Sequence, residues 1–115
     1  MDSFDAEKWV ANQLKGKGCQ ILRLNYRCLG SEIDILCLSG ATLLVVEVKL
    51  RRRRPQIQVE FAQLFPLKKR KCLLRGVEHF LQNNQMSIET VRFDLALVVA
   101  KDSLCQAELV YFYDI

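Results

Sequence analysis

Ser31-Glu32-Ile33-Asp34-Ile35-Leu36-Cys37-Leu38-Ser39-Gly40-Ala41-Thr42-Leu43-Leu44-Val45-Val46-Glu47-Val48-Lys49 sets three ionisable side chains, Asp34, Glu47 and Lys49, inside two runs that are otherwise almost wholly apolar. Burying a charge is costly unless it is paired or bound to a metal. A stretch reading Leu-Leu-Val-Val-Glu-Val-Lys therefore needs a reason for its Glu and its Lys. Both runs are rich in Ile, Leu and Val and read as strands, and Ser39-Gly40-Ala41-Thr42 between them carries turn residues. A two-residue turn at Gly40-Ala41 sets Ser39 opposite Thr42, and the same register sets Asp34 opposite Glu47. Opposed residues of an antiparallel pair hold their Cβ atoms about 5 Å apart on one face. At that spacing two carboxylates can share one hard dication through oxygen. Side chains alternate along a strand, so Lys49 points to the same face while Val46 and Val48 point away. The competing reading is a surface hairpin whose charges face water, and a one-residue slip in the turn would undo the match. Opposed like charges destabilise a strand pair, so without a cation the Asp34–Glu47 match is a liability.

Asp34, twelve intervening residues, and then Glu47-Val48-Lys49 resemble the motif of the PD-(D/E)XK nuclease superfamily, with Ile33-Asp34 standing for the "PD". More narrowly, Asn25-Tyr26-Arg27, Ser31-Glu32-Ile33-Asp34-Ile35 and Val46-Glu47-Val48-Lys49 resemble the YraN-like bacterial proteins, which are similar to archaeal Holliday-junction resolvases. The likeness runs through nearly the whole chain: an N-terminal helix bearing Ala6-Glu7, the two motif strands, a basic helix, and Arg92-Phe93-Asp94 opening a later strand. The chain departs from the family pattern at Ser31, where Gly is usual, and at Leu50-Arg51, where Thr-Arg usually follows the lysine.

The resemblance implies an α/β fold of the restriction-endonuclease type and a metal-dependent endonuclease that hydrolyses phosphodiester bonds in branched or otherwise structured DNA. It casts Asp34 and Glu47 as ligands of Mg²⁺ or Mn²⁺, the Val48 carbonyl as a further ligand, and Lys49 as the group that orients or helps deprotonate the attacking water. Oxygen-rich, sulfur-free ligation suits these hard ions rather than zinc. Glu7 lies in one helical row with Ala11 and Leu14, at the edge of an apolar stripe. Periodicity alone leaves it equally an ordinary first-turn acid complementing the helix dipole. The resemblance assigns it to the edge of the site, because resolvase-like families carry a Glu there.

The net charge of +4 is modest, from 17 Lys and Arg against 13 Asp and Glu, but its distribution is uneven. Arg51-Arg52-Arg53-Arg54 leaves the Lys49 strand directly, and Lys68-Lys69-Arg70-Lys71 opens the long helix. Most charge runs are solubilising surface, yet acidic residues would solubilise as well, and both clusters carry one sign. Arg and Lys on the phosphate backbone supply most non-specific nucleic-acid affinity. The candidate nucleic-acid contacts are therefore Arg51, Arg52, Arg53, Arg54, Lys68, Lys69 and Lys71, with Gln63 added on position only. Two other readings stay open: a non-catalytic nucleic-acid-binding module retaining the nuclease fold, and an interaction subunit whose basic clusters meet an acidic protein. A two-fold homodimer presenting two sites would suit branched DNA, although no residue marks its interface.

At 115 residues, half of them apolar, the chain fits one domain spanning residues 1–115. No apolar run approaches the ~20 residues of a membrane span, and no lipidation motif accompanies the basic runs. The acidic start, Met1-Asp2-Ser3-Phe4-Asp5, lacks the positive charge that opens a signal peptide. The expectation is a cytoplasmic protein without membrane attachment. Cys19, Cys28, Cys37, Cys72 and Cys105 form no Cys-x-x-Cys pair and read mostly as small core residues. His79 is the single histidine and reads as a structural one. No Walker or Gly-x-Gly-x-x-Gly loop is present, which argues against nucleotide cofactors.

Outward from the hairpin, the spacing predicts a helix over 3–15, a half-exposed strand over 19–27 and a long amphipathic helix over 66–83. Leu67, Leu73-Leu74, Val77 and Phe80-Leu81 are its expected inward residues. A continuous apolar run over 91–100 reads as a buried strand, and 107–113 as a last one. The segment between Pro55 and Pro66 is ambiguous. The order is αβββαββ, a mixed β-sheet flanked by helices.

Overall fold

Asp2 starts the first helix, α1 (Ser3–Gly16), through a reciprocal cap. The Asp5 N–H donates to the Asp2 carboxylate at 2.9 Å, and the Asp5 carboxylate accepts the Asp2 N–H at 3.5 Å. The helix ends where Gly18 adopts φ +91° and the Lys17 and Gly18 N–H groups return to Leu14 and Lys15 carbonyls. The computed structural model describes residues 2–28, 30–53, 67–100 and 106–115, with the side chains of Ser3, Leu67 and Lys68 outside that description. After α1 come β1 (Gln20–Cys28), β2 (Ser31–Ser39), β3 (Thr42–Arg51), α2 (Leu67–Asn83), β4 (Thr90–Val99) and β5 (Glu108–Phe112). This is the expected order, with boundaries shifted by one residue at several ends.

The five strands lie in sequence order in one sheet. β3 and β4 pair in parallel and the other neighbours antiparallel, because a connection carrying a whole helix returns the chain in the same direction. One face of the sheet receives α1: Ala6, Val10, Ala11 and Leu14 pack with Ile35, Cys37, Leu44, Val46, Val48, Ala96 and Val98. The other receives α2: Leu73, Val77 and Phe80 pack with Ile33, Leu36, Leu43 and Val45. The strict alternation of Leu43 to Val48 between these clusters is the period of a strand covered on both sides. The result is a mixed α/β sandwich consistent with a restriction-endonuclease-like fold. Helix α2 approaches the sheet closely at Gly76, where an added Cβ would stand 3.0 Å from Ser31 Oγ and 3.1 Å from Ile33 Cδ1.

Several local expectations change. Leu74 is 45% exposed although Leu73 beside it is buried, since adjacent helical positions point about 100° apart and only one can face the sheet. Leu67's side chain lies outside the described residues. Of the described cysteines, Cys37 alone is buried, whereas Cys19, Cys28 and Cys72 are partly exposed. Cys105 lies outside the described residues. A bulge between Ile21 and Arg23 interrupts the alternation of β1. His79 behaves structurally, its Nδ1 bonded to the Tyr26 hydroxyl at 2.8 Å. Among the described residues, no helix is long and apolar enough to cross a membrane.

Asp94, fully buried on β4, anchors the far end of the sheet. It accepts from Arg92 Nε at 3.0 Å and Nη2 at 2.9 Å, from the Tyr111 hydroxyl at 2.7 Å, and from the Asp114 N–H at 2.9 Å. Replacing it by Ala strands the half-buried Arg92 charge and should cost about 3–5 kcal/mol. Tyr111→Phe, which removes one hydroxyl, should cost about 1–2 kcal/mol. Chemical denaturation of the two variants checks this order.

Candidate metal centre

The hairpin of β2 and β3 has the expected register. Ser39 pairs with Thr42, and the ladder runs to Ile35 opposite Val46. Asp34 and Glu47 stand one step beyond its last pair, and there the backbone pairing gives way. The Asp34 carboxylate itself takes the Val48 N–H, at 2.9 Å. Two neighbouring signs mark the same departure. Ile33 packs toward α2 while Ile35, two residues on, packs toward α1, so the alternation of β2 breaks at Asp34. On β1, Asn25 adopts φ 51°, a left-handed geometry that Asn tolerates better than most side chains. Asp34 thus stands where the strand changes face and can address both helices.

Helix α1 brings Glu7 to this point, in the row that also buries Ala11 and Leu14. Carboxylate oxygens of Glu7, Glu32 and Asp34 lie within 4.8 Å of one another. Burial and then the Asp34 charge push the Glu7 carboxyl up to about 7, against a hydrogen bond from Asn25 that lowers it. Glu47 is 3% exposed. Burial first and Asp34 second raise its carboxyl to about 7, even though two ammonium groups oppose the shift. One of these is Lys49, whose Nζ lies 3.6 Å from Glu47 Oε1. The other is Lys69 of α2, which forms a direct ion pair with the same oxygen. Burial and the adjoining Lys69 lower the Lys49 pKa, with Glu47 pulling the other way. Burial also works against the Lys69 ammonium, but its bond to Glu47 outweighs this and holds its pKa up.

Among the described residues, the buried Glu7 Oε2 and Glu47 Oε2 have no hydrogen-bond partner. A buried charged oxygen left unpaired costs more than a hydrogen bond returns, so both need a partner. All the acidic groups here are carboxylates, without sulfur or imidazole, and that donor set fits Mg²⁺ or Mn²⁺. Glu47 does not belong to the 4.8 Å group of Glu7, Glu32 and Asp34.

Glu7, Asp34, Glu47 and Lys49, the four candidate catalytic residues, are therefore brought together. Val48 contributes its main chain here, while its side chain belongs to the α1 core. Lys69, expected among the nucleic-acid contacts, forms an ion pair with Glu47. Arg51, Arg52, Arg53 and Lys71 are exposed. Arg54 and Gln63 lie outside the described residues, as does the side chain of Lys68 in the first turn of α2. Sequence reasoning missed Glu32. Its position two residues before Asp34 was the available signal, since such residues share a strand face.

The profile described as "Uncharacterised protein family UPF0102" matches residues 6–98. The chain is similar to a UPF0102 protein of Gloeobacter violaceus, 32% identical over 84% of this chain and 76% of that protein. A UPF0102 protein of Neisseria meningitidis serogroup C is 36% identical over 74% of this chain and 72% of its own. One of Methylococcus capsulatus is 32% identical over 90% and 81% respectively.

The raised carboxyls set a pH dependence. Glu7 and Glu47 bind protons in the folded state up to about 7, but only up to their ordinary 4.5 when unfolded. Between those values the folded state holds more protons, so its stability falls as pH rises. In chelator, the protein should lose several kcal/mol between pH 4.5 and 8 from this pair. Denaturation of Glu47→Gln across the same range should show a shallower decline.

Proposed function

The chain belongs to the uncharacterised protein family UPF0102, a PD-(D/E)XK nuclease-like group, and from that premise we propose a divalent-metal-dependent endonuclease that hydrolyses phosphodiester bonds in branched or structured DNA. The observation that carries this reading is the pair of unpartnered buried oxygens on Glu7 and Glu47, gathered around Asp34 beside the Lys49 ammonium. Asp34, Glu47 and the Val48 carbonyl would hold the ion, with Glu7 at its edge. Mg²⁺ or Mn²⁺ bound there supplies Lewis acidity and neutralises charge developing on the phosphate.

The chain's own groups do the rest. Lys49 sits half-buried beside Glu47, its charged form disfavoured. It orients the attacking water, and in its neutral form it can accept that water's proton. The buried acids keep bulk water from screening these interactions. Exposed Arg51, Arg52, Arg53 and Lys71 supply contacts to the phosphate backbone. Arg54, Gln63 and Lys68 join them in this proposal on their sequence positions. A two-fold dimer in the cytoplasm would present two such sites to a branch point.

The test is cleavage of a four-way junction, plain duplex and single-stranded RNA with Mn²⁺ or with chelator. Junction cleavage should require the metal and fall at least about a hundredfold in Glu47→Ala and in Lys49→Ala. Gel-shift affinity should stay within about threefold in both, because the phosphate contacts remain. Salt-sensitive binding with no cleavage under any divalent ion would assign the chain to a non-catalytic nucleic-acid-binding module.

A further inference from the structure

We propose that Lys69 is a resident counter-cation of the metal centre: its ammonium occupies Glu47 in the metal-free protein and is released toward the substrate phosphate when the dication enters. The inference rests on the metal-centre reading above and adds a residue and an order of events to it.

Lys69 lies in the first turn of α2, four residues before buried Leu73. Residues four apart share a helix face, so Lys69 is carried under the helix toward the sheet while Lys71 stays exposed. A cation there opposes the positive end of the helix dipole, and the first turn of α2 contains no acid to offset it. Its compensation comes from the sheet face that α2 covers, in the ion pair with Glu47 Oε1. That pairing leaves the second oxygen, Oε2, without a partner among the described residues. Glu47 is thus half satisfied, by a cation on a flexible stem that can leave.

Lys49 Nζ is already 3.6 Å from the same oxygen. A dication at Glu47 would add two positive charges within a few ångströms of two ammonium groups, in a site where water screens little. The ion pair closest to the metal ligand must then loosen. Lys69 is 32% exposed at its side chain, so its released ammonium has a path toward solvent and an incoming phosphate. Metal and Lys69 therefore compete for Glu47. A DNA phosphate gives the displaced ammonium a new partner, so DNA should tighten metal binding, and metal should tighten DNA binding by the same factor.

The experiment is calorimetric titration of Mg²⁺ at pH 8.5, above the about-7 carboxyls of Glu7 and Glu47, into wild type, Lys69→Met and Lys69→Arg. The Met variant should bind Mg²⁺ about tenfold or more tightly, the worth of one hydrogen bond to a charged group, while Arg stays near wild type. In the ¹⁵N spectrum of lysine-labelled wild type, the Lys69 Nζ resonance should move as Mg²⁺ is added. This measurement decides the matter if the Met variant fails to fold. An unmoved Nζ, or an unchanged or weaker affinity in a folded Met variant, would overturn the counter-cation role while leaving the metal centre standing. No Mg²⁺ uptake by wild type would remove the metal-centre reading and this inference with it.

Discussion

Three carboxylates drawn out of water around one gap in a β-sheet are the constraint on which the structure turns. Glu7, Asp34 and Glu47 are each less than a tenth exposed, and the Asp34 charge raises the cost of ionising the other two. Such a gathering persists only if the surrounding fold holds it rigidly. The scaffold here is a sheet covered on both faces, with α1 delivering Glu7 from one side and α2 delivering Lys69 from the other. The ladder of β2 and β3 ends at Ile35 and Val46, so the pleat opens at the point where the acids meet.

Two buried acids in neighbouring strands are satisfied to different degrees. Asp94 engages a guanidinium, a hydroxyl and a main-chain N–H, and both its oxygens are occupied. Its bonds tie β4 to β5 and the C-terminal residues. Glu47 sits among apolar strands to nearly the same depth, yet among the described residues one oxygen is unpartnered and the other pairs with a lysine from a separate helix. A fully satisfied buried network rigidifies, while an incomplete one stores a cost that a ligand can relieve.

Much of this was legible in the chain because the signals were local. The two-residue turn at Gly40-Ala41 fixed the hairpin register, and alternation then set Glu47 and Lys49 on one face of β3. The apolar run of β4 and the 3.6-residue stripes of both helices were equally plain. What escaped reading depended on contacts between distant segments. Nothing near Asp34 announces that β2 changes face there, since the break is matched by the left-handed Asn25 on another strand. Lys69 belonged to a uniform basic run, and only the packing of α2 selects it for the interior while Lys71 faces solvent. The amphipathic pattern marks both Leu73 and Leu74 as inward, where helical geometry admits one of the two. Glu32 had a readable cue in its spacing from Asp34, but its proximity to Glu7 required the docking of α1.

If the metal-centre reading holds, these carboxylates form a binding site for one class of ion. Anomalous diffraction from crystals soaked in Mn²⁺ tests it most directly, because the ion's own signal locates it. A manganese peak should lie within about 2.5 Å of carboxylate oxygens from both Asp34 and Glu47, with the Val48 carbonyl oxygen in the same shell. A protein that takes up no manganese there, or binds it only at exposed surface acids, would contradict it.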